Sequence, residues 1–472
     1  MSKSRQVATA LLKAIDEGRL SPGARVASIR EAAQQFGVSK NTVIDAYDQL
    51  VALGHLSARQ GAGFFVSPPR TSPIGEQTHD LSEAVDSVSL LREQLVGNFA
   101  VRVGDGRAPA SWMGGTELTR LIRRRTGLPD DMSDIEYGMP QGYSPLRESL
   151  AMALAGRSIH ASHDQVMMTF GANHAFDLII RHFVAPGESV LVETPGYYPL
   201  FGKLRLAKAK LVGVPRTADG PDLEEFERKA KQYRPRLFFL QPNAHNPTGS
   251  SMSLSNMHRL LKLADHYGVT LVEDDVFADI LPKGSAHLAA LDGLESVIYV
   301  GTFSKTLSTG LRCGYVAGSR SIIRALVDIK MLTVVNTSTF NEMVVHDMLV
   351  RGRYRRHLAQ LRERVTKASA TAVRVLKQIG INDVTGPGGG YYLWAKLPPH
   401  INTTELAKWA SEKGIFIAPG AIFSLRPDST DANSMRINIA HASDHRFLEF
   451  MSSLNGSGNH ESRHFLSRRR VT

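Results

Sequence analysis

The sequence predicts a small winged helix-turn-helix unit followed by a large α/β domain built on a mainly parallel sheet. Three observations carry this. Residues 4–66 hold three short helical periodicities and then a glycine-tipped pair of apolar runs. Beyond residue 96, short β-branched runs alternate with helical stretches, the rhythm of strand and crossover that makes a parallel sheet. Between the two, Ser67-Pro68-Pro69-Arg70-Thr71-Ser72-Pro73-Ile74-Gly75 has three prolines and no periodicity, so it reads as a linker. The expected divisions are 1–68 for the head, 69–95 for the linker and an extension helix from Leu81, 96–455 for the large domain, and 456–472 for a basic, disordered tail.

In the head, Val7, Leu11, Leu12 and Ile15 recur at helical spacing until Gly18 and Ser21-Pro22-Gly23 stop the helix. Ser28 caps a second helix through Ile29, Ala32, Ala33 and Phe36, ended by Gly37, and Ser39 caps a third through Val43, Ala46, Tyr47 and Leu50. Two helices joined by Phe36-Gly37-Val38-Ser39 make a helix-turn-helix. Residues 57–66, with Gly61 and Gly63 at the tip, fold back as a wing. In such a unit the third helix meets the major groove of double-stranded DNA with its first turn. That places Ser39, Lys40, Asn41 and Thr42 at base edges and phosphates, with Arg30 and Arg59 as backbone anchors.

In the large domain the expected strands are 165–170, 189–193, 236–241, 269–273, 297–300 and 314–317, with a helix from Asn173. Ligands of such sheets bind at the carboxyl ends of the strands, and residues that can do chemistry collect there. Lys305 follows strand 297–300 through a turn rich in hydroxyls, where it can form a Schiff base, and Thr302, Ser304 and Arg312 suit a phosphate. That set describes pyridoxal 5'-phosphate; a solvated lysine after a strand is the plain alternative. Asp274, at the end of a buried run, would keep a pyridine nitrogen protonated. Asn246, in the turn from Gln241 to Gly249, can donate to a phenolate oxygen. Ala172 and Asn173 open a helix whose free N–H groups favour an anion. Tyr197 can cover the pyridine face, although a tyrosine there also serves plain packing.

Gly18-Arg19-Leu20-Ser21-Pro22-Gly23, Ser28-Ile29-Arg30, Val38 to Val43 and Gly61 to Val66 together resemble the GntR-type winged helix across residues 4–66, departing from it at Ala27, where that family has a proline. Asn246-Pro247-Thr248-Gly249, Asp274, Ser304-Lys305 and Arg312 resemble, in that order, fold-type I aminotransferases of the aspartate class over roughly 111–450. The resemblance implies a pyridoxal 5'-phosphate (PLP) domain with a small C-terminal subdomain. It implies Lys305 as the Schiff-base lysine and catalytic residue, with Asn246 and Asp274 on the ring and Tyr197 stacked over it. Ala172, Asn173, Thr302, Ser304 and Arg312 then surround the phosphate. It further implies Tyr137 as a tyrosine that reaches a phosphate across a dimer interface, and Arg436 as the arginine that takes a substrate carboxylate. The family's tyrosine three residues after the ring aspartate is here Phe277, which favours binding over turnover. Both parts in one chain resemble the MocR-type branch of GntR-family regulators, head-to-tail homodimers whose large domain senses a ligand.

Composition agrees with a globular chain. Of 472 residues 42% are hydrophobic and 21% charged, no apolar run approaches the roughly 18 residues of a membrane helix, and no signal-peptide core is seen. The single cysteine, Cys313, excludes a disulfide framework and a thiolate metal cage, so a cytoplasmic protein without a metal is expected. Charge is +11 overall, and residues 1–70 hold nine Lys/Arg against five Asp/Glu. The expected function is a PLP-dependent transcription regulator responding to an amino compound or to PLP itself. The rival readings are a working aminotransferase carrying a DNA-binding head, and a regulator with a vestigial cofactor site.

Overall fold

The structure is a computed structural model that describes residues 3–59, 62–67, 91–92, 94–95, 97–126, 136–386, 388–426 and 431–456. The expected tail from 457, and the linker with nearly all of the extension helix, lie outside these residues. The chain divides into two units, Met1–His79 and Asp80–Thr472.

The first unit has helices α1 (Lys3–Asp16), α2 (Ile29–Phe36) and α3 (Lys40–Ala52) and an antiparallel pair, β1 (Leu56–Arg59) and β2 (Gly63–Val66). Its core is Val7, Leu11, Val26, Ala32, Val43, Ala46, Tyr47, Leu50, Leu56 and Val66. Ser28 and Glu31 form a capping box at the start of α2, and Gly37 ends that helix at φ 62°. Beside them the Tyr47 hydroxyl donates to the Ala27 carbonyl at 2.7 Å. The start of α2 is thus tied down without a proline at position 27.

The second unit is a sheet of eight strands in the order β3, β10, β9, β8, β7, β4, β5, β6. These are β3 (Val166–Thr169), β4 (Ser189–Thr194), β5 (Lys210–Thr217), β6 (Gly220–Pro221), β7 (Leu237–Leu240), β8 (Thr270–Asp274), β9 (Val297–Thr302) and β10 (Gly314–Ala317). β9, β8, β7, β4 and β5 pair in parallel, β10 runs against both β3 and β9, and β6 runs against β5. β3, β7 and β10 are buried along their whole length, as continuous apolar strands in a covered sheet should be. A smaller antiparallel sheet follows: β11 (Asp383–Thr385), β12 (Tyr392–Lys396), β13 (Ala418–Pro419) and β14 (Ser434–Asn438), in the order β11, β12, β14, β13. The last helix, His445–Gly456, runs one residue into the stretch expected to be tail.

Candidate cofactor site and nucleic-acid interface

Because β10 is antiparallel to both its neighbours, β3 points the same way as β9, β8, β7 and β4. The carboxyl ends of these five strands therefore share one edge, and nearly every expected cofactor residue lies at it or just beyond. At the phosphate end, Gly171 (φ 76°) leads into the helix Ala172–Phe183, whose first N–H groups have no partner within the helix. A Cβ on Gly171 would stand 3.0 Å from the Arg312 guanidinium. Arg312 donates to the Phe170 carbonyl at 2.9 Å and to Ser304 Oγ at 3.4 Å, and the Ser304 N–H donates to Thr302 Oγ1 at 3.1 Å. Asn173 Oδ1 is buried here with no hydrogen-bond partner. A guanidinium, two hydroxyls and a helix start converge, which is the donor set a phosphate needs.

At the ring end, Asp274 closes β8 with a buried Oδ1 that has no hydrogen-bond partner. Burial first, and then the charge of Asp275, pushes its pKa up to about 8, against the pull of Lys305. An orphaned carboxyl that still holds its proton suits a pyridine nitrogen, which would take that proton and leave a carboxylate facing a pyridinium. Tyr197 and Asn246 line the same cleft with Phe176 and Glu193.

The turn that presents Asn246 is held from beneath. Arg216 pairs with Glu193 at 2.5 Å, Glu193 accepts the Gln241 N–H at 2.8 Å, and Gln241 Oε1 accepts the Asn246 N–H at 3.0 Å. Burial alone would raise the pKa of Glu193, but Arg216 and His245 outweigh it and hold it at about 2. The chain of bonds is therefore anionic at its root.

Lys305 Nζ donates to the Gly106 carbonyl at 2.5 Å. The Tyr392 hydroxyl donates to the same oxygen at 2.9 Å, and Tyr391 donates to the Lys305 carbonyl at 2.6 Å. Gly106, Tyr391 and Tyr392 escape a reading of the sequence; the run Gly388-Gly389-Gly390 before two tyrosines was the available signal. Phe277 is fully buried, edge-on to both tyrosines at 5.1 and 5.5 Å, and offers no hydroxyl.

Arg436, on β14, is also fully buried, between the rings of Tyr392 (4.7 Å) and Phe423 (5.0 Å). It donates to Asn246 Oδ1 at 2.8 Å and to the Gly104 carbonyl at 2.7 Å, leaving Nε without a partner. Of the expected cofactor and substrate residues only Tyr137 is not brought here. Its side chain is 85% exposed.

In the head, Arg30, Lys40, Asn41 and Arg59 are exposed. Ser39 caps α3, accepting the Thr42 N–H at 3.2 Å and sharing a hydrogen bond with Thr42 Oγ1 at 2.8 Å. Two of the expected base contacts are therefore engaged with each other. Arg59 lies over the Phe65 ring at 4.4 Å, which holds it against the wing.

Residues 119–454 match the family of class I and II aminotransferases, and residues 3–66 match bacterial regulatory proteins of the gntR family. The large unit is thus an aminotransferase domain of fold type I, and its cofactor is pyridoxal 5'-phosphate. The chain as a whole belongs to the MocR-type branch of the GntR-family transcription regulators. It is 31% identical to the uncharacterized HTH-type transcriptional regulator YdcR of Escherichia coli over 90% of this chain and 92% of that protein. It is 27% identical to YisV of Bacillus subtilis, likewise an uncharacterized HTH-type regulator, over 93% and 92%. The α-aminoadipate aminotransferase LysN of Thermus thermophilus, solved with N-(5'-phosphopyridoxyl)-L-leucine, has the same fold (TM-score 0.71, 26% identity, 79% of this chain and 97% of that one).

Proposed function

We propose that the large domain is the sensor of this regulator, and that an amino acid, or PLP itself, changes how the head binds promoter DNA. Bound at Lys305, pyridoxal phosphate supplies an aldehyde that takes amines and a ring that draws electrons from them. The observation that carries the reading is the bond between Arg436 and Asn246. It joins the small antiparallel sheet to the turn that faces the cofactor, and a carboxylate arriving at Arg436 competes for that same guanidinium. An amino acid thereby acts at both ends: its amine displaces Lys305, and its carboxylate loosens the link between the two sheets. Such differential contact is what a population shift requires. Phe277 weighs against efficient turnover, since the side chain there cannot bond the cofactor's oxygen.

The sensor works as a head-to-tail homodimer in the cytoplasm. Support comes from the exposed apolar side chains of Tyr137, Met139, Met331 and Leu332, and from Gly138, which packs on Thr339 and Asn336. From there Tyr137 would reach the phosphate of the partner's site.

The test is a screen of amino acids and amines against the PLP-loaded protein, read by visible absorbance and by affinity for its own promoter DNA. The expected result is a lysine-dependent visible band, absent in Lys305→Ala, that one amine alters together with DNA affinity. DNA affinity indifferent to PLP and to every amine would sink the reading; sustained keto acid production would favour an enzyme instead.

A further inference from the structure

Behind Asp274 lies a second cluster that the cofactor site does not use. Side chains along a strand alternate in direction, so if Asp274 is turned to the cofactor, Glu273 is turned away from it, and there Asp275, just past the strand's end, and His287 meet it. One donor atom from each of the three lies within 4.8 Å of the others. Glu273 is 0% exposed, and Asp275 and His287 are each 3% exposed.

Two readings compete for this cluster. In the first, His287 is protonated and forms a buried ion pair. Its Nδ1 stands 2.9 Å from Asp275 Oδ2 and 3.7 Å from Glu273 Oε1, close enough for ion pairing, but it makes no hydrogen bond of normal geometry. Asp275 Oδ1 has none either. Even with that proton, one of the two buried carboxylates has no counter-charge of its own and depends on backbone donors or on its own protonation, which is costly in a dry interior. In the second reading a divalent cation lies between the three groups and cancels both charges. Donor atoms on a tetrahedral ion with bonds of roughly 2.0–2.2 Å stand roughly 3.4 Å apart, and the two measured distances bracket that value.

The surroundings also suit an ion. Glu273 accepts the N–H groups of Leu288 (3.3 Å) and Ala289 (2.8 Å), and Asp275 Oδ2 accepts the Tyr299 hydroxyl at 3.0 Å. Two of the three donors are thus oriented by outer contacts, as ligands in metal sites are. His287 also lines a surface cavity of about 630 Å³ with Arg157, Ser158, Pro282 and Lys283, which gives a route inward.

We propose that Glu273, Asp275 and His287 form a divalent metal site. One imidazole and two carboxylates select a borderline ion such as zinc, or manganese, with the remaining positions left to water. The ion lies behind the cofactor's aspartate and bears on the field at Asp274. Its ligand side chains are not among those lining the cofactor cleft, and the proposal stands whether or not the domain is a sensor.

The full-length protein, stripped with a chelator and dialysed, is titrated with Zn²⁺, Mn²⁺ and Co²⁺ separately, with bound metal measured by elemental analysis and Co²⁺ also by its visible spectrum. One equivalent per chain is expected. It should bind about 100-fold or more weakly in His287→Gln and in Asp275→Asn, while both variants keep the lysine-dependent PLP band that shows them folded. A His460→Ala/His464→Ala variant, which removes the tail histidines, should keep the equivalent. No retained metal, or an equivalent untouched by both substitutions, overturns the site and leaves the protonated His287 pair. X-ray absorption of the ion on the unaltered chain decides the matter if a variant misfolds: one nitrogen among oxygen donors is expected, and an all-oxygen or multiple-histidine shell overturns it.

Discussion

Asp274 holds its proton where an ordinary aspartate has lost it, because it is buried beside Asp275 with Lys305 as its attractive charge. The consequence for stability has a definite sign. Between the ordinary aspartate value of 3.8 and the folded value of about 8, the unfolded chain has released this proton and the folded chain still keeps it. The folded state binds more protons across that window, so the group's contribution to stability falls as pH rises through it. Thermal unfolding of the cofactor-free and metal-free protein at about pH 5 and about pH 8 should show a smaller loss in Asp274→Asn than in the unaltered chain. An equal loss would mean that Asp274 is not the group responsible. The same variant should bind PLP more weakly, by about 10-fold or more, since a neutral amide cannot pair with a pyridinium.

The elements around the site were read from sequence with uneven success, and the reasons are physical. β3, β7, β9 and β10 are short, mostly apolar runs buried along their length, and β8 carries the apolar pair Leu271 and Val272 before its acids, so composition betrays them. β5 was missed because Lys210, Gly213, Pro215 and Arg216 break any apolar pattern. Among the described residues only the two-residue β6 pairs on its far side, and near a sheet edge a proline is tolerated. The hydrogen bond between Arg436 and Asn246 joins residues 190 positions apart, and nothing local announces it. What local pattern did mark is the start of the helix at Ala172. Gly171→Ala would demand a side chain at φ 76° and set its Cβ 3.0 Å from the Arg312 guanidinium. Its PLP affinity should drop at least about 10-fold with the helix content unchanged, and undiminished affinity would remove Gly171 and Arg312 from the phosphate site. At the head, Lys40→Ala should weaken promoter binding and reduce the slope of log affinity against log salt by about one phosphate's worth. An unchanged slope would mean that Lys40 does not touch the backbone.

For the whole molecule, the proposed sensing requires that the state of one unit change the free energy of the other, and such a coupling runs in both directions. Suppose an amine, on displacing Lys305, alters promoter affinity by some factor. Promoter DNA must then alter the affinity for that amine by the same factor, because both paths join the same two end states. Typical couplings of about 1–3 kcal/mol correspond to factors of about 5–150, well within reach of an absorbance titration run with and without DNA. Arg436→Lys gives the discriminating case. The lysine cannot hold Asn246, the Gly104 carbonyl and an arriving carboxylate in one plane, so the amine should still displace Lys305 while the factor moves toward one. Equal and undiminished factors in Arg436→Lys would place the coupling outside the bond between the two sheets, and unequal factors for the two titrations in the unaltered protein would show that DNA and amine were not measured on one equilibrium.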